Sequence, residues 1–122
     1  MLSDYQITSI KFSIRNELYI VNCNNVLYLQ ADDHYTQVYY PSGAHFMIPF
    51  GLSHVMEKVC LVLSEDPFLK RVSRKFVVNV RAIFHINTMK EVVLLSDAHG
   101  GNHEIHVPKK TLQDLMLLIQ QR

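Results

Sequence analysis

Cysteine is scarce in this chain of 122 residues: Cys23 and Cys60 stand alone, without C-x-x-C spacing. That excludes a disulfide framework and a thiolate zinc site, and both residues read as small apolar side chains. Charge is also sparse, at 19% against 48% hydrophobic, which excludes a disordered tail or linker. No apolar run approaches the roughly 18 to 20 residues needed to cross a bilayer. Met1 to Ile10 lacks the basic-then-apolar layout of a signal peptide, so a cytosolic (cytoplasmic) protein with no membrane partner is expected. Internal repeats and low-complexity tracts are missing too. A mass of 14.2 kDa fits one domain, taken as residues 1–122.

Thirteen valines and nine isoleucines, mostly in short runs between turn residues, predict a mainly β protein. Ile7 to Ile14 and Glu17 to Val21 flank Arg15-Asn16, and Val26 to Ala31 and Tyr35 to Tyr40 flank Asp32-Asp33-His34, giving two hairpins. Pro41-Ser42-Gly43 turns the chain into a strand from Ala44 to Ile48, which Pro49 ends. Past Gly51, a modest N-cap, Leu52, Val55, Met56, Val59, Cys60 and Leu63 recur at helical spacing. Phe76 to Ile86 then reads as one long strand, followed by Glu91 to Ser96, a Gly100-Gly101 turn and His103 to Val107. Pro108 suits the first position of a closing helix, whose apolar face is Leu112, Leu115, Met116 and Ile119.

The net charge of +1 conceals a local excess: Lys70, Arg71, Arg74, Lys75 and Arg81 lie in a stretch without acid. Strict alternation from Lys70 leaves neither face apolar, so the period must break near Ser73. A turn there would project Arg74 and Lys75 toward phosphates or a guanine edge, or simply form a solvated basic turn. Lys109 and Lys110 fall in the first turn of the closing helix, where the macrodipole disfavours cations by about 0.3 to 1 kcal/mol each. A nucleic-acid phosphate is the simplest group to want them there.

Asp32-Asp33-His34 has no second carboxylate or nucleophile signature beside it and reads as a polar turn rather than a catalytic site. No enzyme activity is expected. The tract His99, His103, Glu104 and His106 resembles a metal site, but a regular strand points His103 and His106 to opposite faces, so no metal or cofactor is expected. Tyr35, Tyr39 and Phe46 offer a stacking platform for single-stranded nucleic acid, or fill a core as strand aromatics more often do.

The order of elements resembles the LytTR-type DNA-binding domain of bacterial response regulators, over residues 10–118. Val26-Leu27-Tyr28-Leu29-Gln30-Ala31-Asp32-Asp33-His34-Tyr35 is similar to the family's I-x-Y-I-E-A strand, turn and aromatic, with Gln30 for Glu. Leu52 to Leu63 resembles its Leu-led helix. Arg71-Val72-Ser73-Arg74-Lys75-Phe76-Val77-Val78-Asn79 resembles its R-V-H-R-S-Y-I-V-N block, with Ser73 where His is common and Lys75 where Ser is common. Ile105-His106-Val107-Pro108-Lys109-Lys110 looks like the family's last strand and basic pair. The resemblance implies an elongated stack of small antiparallel sheets whose loops enter successive grooves of double-stranded DNA. It places contacts at His34, Tyr35 and Thr36, at Arg74 with Lys75 beside it, and at Lys109 and Lys110. It also implies a second copy on repeated half-sites, and a receiver or sensor domain outside this sequence. Because both helices turn their apolar faces to their own sheets, the free domain is expected to be monomeric. Two other readings are an interaction module that kept the fold without DNA contacts and an OB-like single-strand binder.

Overall fold

Tight connections organise the first half of the chain. β1 (Ser9–Ile14) and β2 (Glu17–Asn22) pair antiparallel across Arg15-Asn16. Arg15 takes a φ of 55°, the left-handed conformation favoured in hairpin turns that match strand twist. The computed structural model describes residues 8–121, so Ile7, expected to open β1, lies outside the described residues. β3 (Tyr28–Asp32) and β4 (Tyr35–Tyr39) form the second hairpin, and β5 (His45–Ile48) follows the Pro41-Ser42-Gly43 turn. Val26 and Leu27, expected in β3, instead follow a short 3-10 turn at Cys23–Asn25; both are buried.

α1 (Leu52–Val62) begins at Gly51 as the N-cap, as the sequence predicts. It packs on β1, β3 and β4 through Leu52, Val55 and Val59. Cys60 does not belong to that face: it is exposed, because the buried stripe is narrower than the helical repeat in the sequence. Cys23 is fully buried, and burial pushes its thiol up to about 11.

The run from Phe76 to Ile86 is not one strand. It divides into β7 (Phe76–Asn79), a 3-10 turn at Val80–Ala82 and β8 (Ile83–Asn87), which belong to different sheets. Asn79 makes the break. Its buried side chain donates to the Val26 carbonyl at 2.8 Å and accepts the Arg81 N–H at 2.9 Å, so the polar group is satisfied only if the chain turns there.

β6 (Leu69–Arg71) pairs with β7, and the larger sheet runs β5-β4-β3-β7-β6. β9 (Val92–Ser96) and β10 (Asn102–His106) join β8 in a three-stranded sheet of order β10-β9-β8. α2 (Lys109–Gln120) closes the fold, with Pro108 at its N-cap, one position earlier than expected. The result is mainly β: three antiparallel sheets and two helices around one apolar core. No helix among the described residues is long and apolar enough to cross a membrane.

Candidate nucleic-acid interface

The alternation breaks at Ser73, where the chain turns between β6 and β7. Ser73 holds the turn from inside: its Oγ accepts the N–H groups of Lys75 (3.2 Å) and Phe76 (3.1 Å). Arg71 holds it from outside, with Nε donating to the Ser73 carbonyl at 3.2 Å and Nη2 to the Arg74 carbonyl at 2.9 Å. The Lys75 carbonyl accepts the Ala31 N–H at 2.7 Å. With its backbone tied this way, the loop presents Arg74 and Lys75 as exposed side chains, neither of them in an ion pair among the described residues.

The same Ala31–Lys75 bond sets the β3–β4 turn beside this loop. Asp33 there adopts a φ of 57°, a conformation that Asp tolerates better than most residues. His34 stands exposed at the tip, 3.7 Å from the Asp33 carboxylate, and Tyr35 is 42% exposed. Thr36 differs. It is fully buried, and its hydroxyl donates to the Phe50 carbonyl at 2.8 Å, so it presents no side chain to a ligand and ties β4 to the segment before α1.

α2 brings the third basic group alongside. Thr111, Asp114, Leu115 and Leu118 share a shallow hollow with Lys70, Arg71 and Val72, which sets one face of the helix along β6. Lys109 and Lys110 are exposed, Lys110 with its ammonium 3.3 Å from Asp114 one turn on. The helix start already has an anion of the protein's own, so the position of the two lysines does not by itself call for a phosphate. Glu91, at a φ of 56°, accepts the Lys109 N–H at 3.0 Å and so offsets the dipole from within the protein. The roles of Arg71 and Glu91 were not legible in the sequence because the backbone groups they bond are brought beside them only by the fold.

The histidine-rich tract has a different purpose. His103 faces inward, 3.0 Å from the Asp97 carboxylate and 5.8 Å from the Tyr28 ring, while His106 lies on the opposite face near Glu91. Asp97 also accepts the N–H groups of His99 (2.9 Å) and Gly101 (2.7 Å). These bonds, that from His99 foremost, hold its carboxyl below the usual carboxylate range. Among the described residues no three His, Cys, Asp or Glu side chains converge as a metal site would require. The aromatic platform dissolves as well. Tyr39 stacks between Tyr28 (4.4 Å) and His45 (5.0 Å), whereas Phe46 pairs with Val38 and shares its core-facing side of the sheet.

A hairpin that exports basic side chains from a tied backbone, beside a polar turn and a basic helix start, suits a polyanion. Comparison with known proteins agrees. The family model of the LytTr DNA-binding domain matches residues 16–120, and the chain belongs to that family. The domain is therefore a non-catalytic, DNA-binding element of transcription regulation. A solved LytTr DNA-binding domain from Bacillus cereus, described as part of a methyl-accepting/DNA response regulator, is similar in fold. Its TM-score is 0.61 at 21% identity, covering 92% of this chain and 96% of that one. No curated protein matches the sequence.

Proposed function

We propose that this domain binds double-stranded DNA sequence-specifically, with loops rather than a helix entering successive grooves. The observation that carries the reading is the β6–β7 hairpin, whose backbone is tied at Ser73, Arg74 and Lys75 while the Arg74 guanidinium takes no hydrogen bond or ion pair among the described residues. An arginine carried on a fixed backbone suits a guanine edge, whose O6 and N7 take the commonest specific contact of this kind. His34 and Tyr35 approach the neighbouring groove from the β3–β4 turn. Lys75, Lys109 and Lys110 meet phosphates, which position the domain without reading sequence.

Free in solution the domain is a monomer, and two copies load on a duplex with two half-sites; light scattering and stoichiometric titration measure both. The main test is selection of duplexes from a random pool, followed by competition with single strands. Enrichment of one motif that single strands do not displace supports the reading. Enrichment of no motif points to a module that keeps the fold without sequence readout, and preference for single strands points to a stacking mode.

A further inference from the structure

We infer that Arg71 is the positioning residue of the interface, fixing Arg74 for base contact without touching DNA itself. This rests on the proposed DNA reading. The guanidinium makes three hydrogen bonds in three directions: to the carbonyls of Ser73 and Arg74, and through Nη1 to Ser53 Oγ at 2.9 Å. Ser53 is the second residue of α1. The fork therefore fastens the tip of the β6–β7 hairpin to the start of a helix that is itself seated in the core through Leu52 and Val55.

The neighbouring loop is referred to the same place. Thr36 bonds the Phe50 carbonyl, three residues before Ser53, so both candidate contact loops are anchored on the corner that leads from β5 into α1. A second cross-tie, Ala31 N–H to the Lys75 carbonyl, fixes one loop against the other. The spacing between His34 and Arg74 is thus set by Thr36, Arg71 and the Ala31 bond together. That spacing must match the spacing of groups on a duplex, because base-edge contacts tolerate little displacement.

The bonding also explains why the position requires arginine. Only a planar guanidinium can reach two successive carbonyls and a hydroxyl at once; an ammonium is a point charge on a flexible stem. Arg71 lies in the basic segment and is exposed, but three of its five donors, one on each nitrogen, are already turned to the protein, which sets the plane of the guanidinium by the loop rather than by a phosphate.

The test compares Arg71→Lys and Arg71→Gln with Arg74→Ala, each on a selected duplex and a scrambled one at several salt concentrations. Amide hydrogen exchange of Ser73 to Lys75 is followed in the free proteins. If Arg71 positions the loop, Arg71→Lys speeds exchange there and cuts the preference for the selected duplex about tenfold. The salt dependence of the scrambled duplex stays unchanged, and the loss in preference disappears in an Arg74→Ala background. A phosphate contact would give the opposite pattern: near-normal binding by Arg71→Lys, and a salt slope lower by about one for Arg71→Gln. That pattern, or unchanged exchange in Arg71→Lys, overturns the inference. The exchange readout needs no DNA, so failure of the clamp is distinguishable from failure of the DNA reading, in which wild type itself would show no preference.

Discussion

Two hairpin connections in this domain are built alike and end differently. At the β9–β10 turn, Asp97 gathers the N–H groups of His99 and Gly101 and the ring of His103, and His99 reaches the Ser42 carbonyl at 3.1 Å. At the β6–β7 turn, Ser73 and Arg71 gather the backbone in the same manner. The first turn consumes its polar side chains internally, and the second leaves Arg74 and Lys75 outside. Residue types alone mislead here, since the histidine-rich tract looks chemical and is architectural, whereas the basic turn, which could equally be a solvated loop, is the one we propose meets DNA. What matters is which side chains the turn needs for its own backbone.

The sharpest way to break this contrast is to remove an exported side chain. Arg74→Ala should weaken binding to a selected duplex by about 1 to 3 kcal/mol and leave the melting temperature unchanged. Equal affinities of the two proteins would remove Arg74 from the interface. The converse change acts at the other turn. A methyl group at Gly101 would lie 2.6 Å from Asp97 Oδ2, so Gly101→Ala must displace the carboxylate from its bonds. A loss of about 1 to 2 kcal/mol in denaturant unfolding is expected, with duplex preference retained by the folded fraction. Wild-type stability would show that the Asp97 cluster does not hold the turn.

Smaller effects sharpen the picture. Lys109→Gln should lower affinity for selected and scrambled duplexes alike and reduce the salt slope by about one. A loss confined to the selected duplex would make Lys109 a base reader. Asp97 also gives a pH signature. Its folded carboxyl lies below the ordinary value, so its stabilising effect is complete above the usual carboxylate range and is lost as pH falls through the depressed value. Melting curves across the acid range should therefore show a steeper decline for wild type than for Asp97→Asn; parallel curves would contradict the cluster. Chelator should leave the melting temperature where it is, because His103 already has a carboxylate partner and His106 faces away.

Much of the fold was legible in the sequence because its signals are local. Arg15-Asn16 and Asp33-His34 sit where hairpins need tight turns, and Gly51 marks a helix start next to a helical repeat. The split of the Phe76–Ile86 run was not legible, since valine and isoleucine continue on both sides and the decisive partner of Asn79 is Val26, 53 residues away. For the same reason Thr36 could not be separated from His34 and Tyr35: in a hairpin only the partner strand and the covering segment decide which side is buried. The basic hairpin could be read because an acid-free stretch and a broken alternation coincide at Ser73. Its clamp could not, because Arg71 looks like one more cation until its carbonyl partners are in place.

The central claim is that a backbone-tied basic hairpin gives this domain sequence discrimination on duplex DNA. It is tested most directly by titrating the wild-type protein with a selected duplex, a scrambled duplex of equal length and the selected single strand, each across a range of salt. The account predicts that the selected duplex binds about a thousandfold or more tighter than the scrambled one, and that both duplexes weaken with salt. Equal affinity for all three nucleic acids at every salt concentration would contradict it.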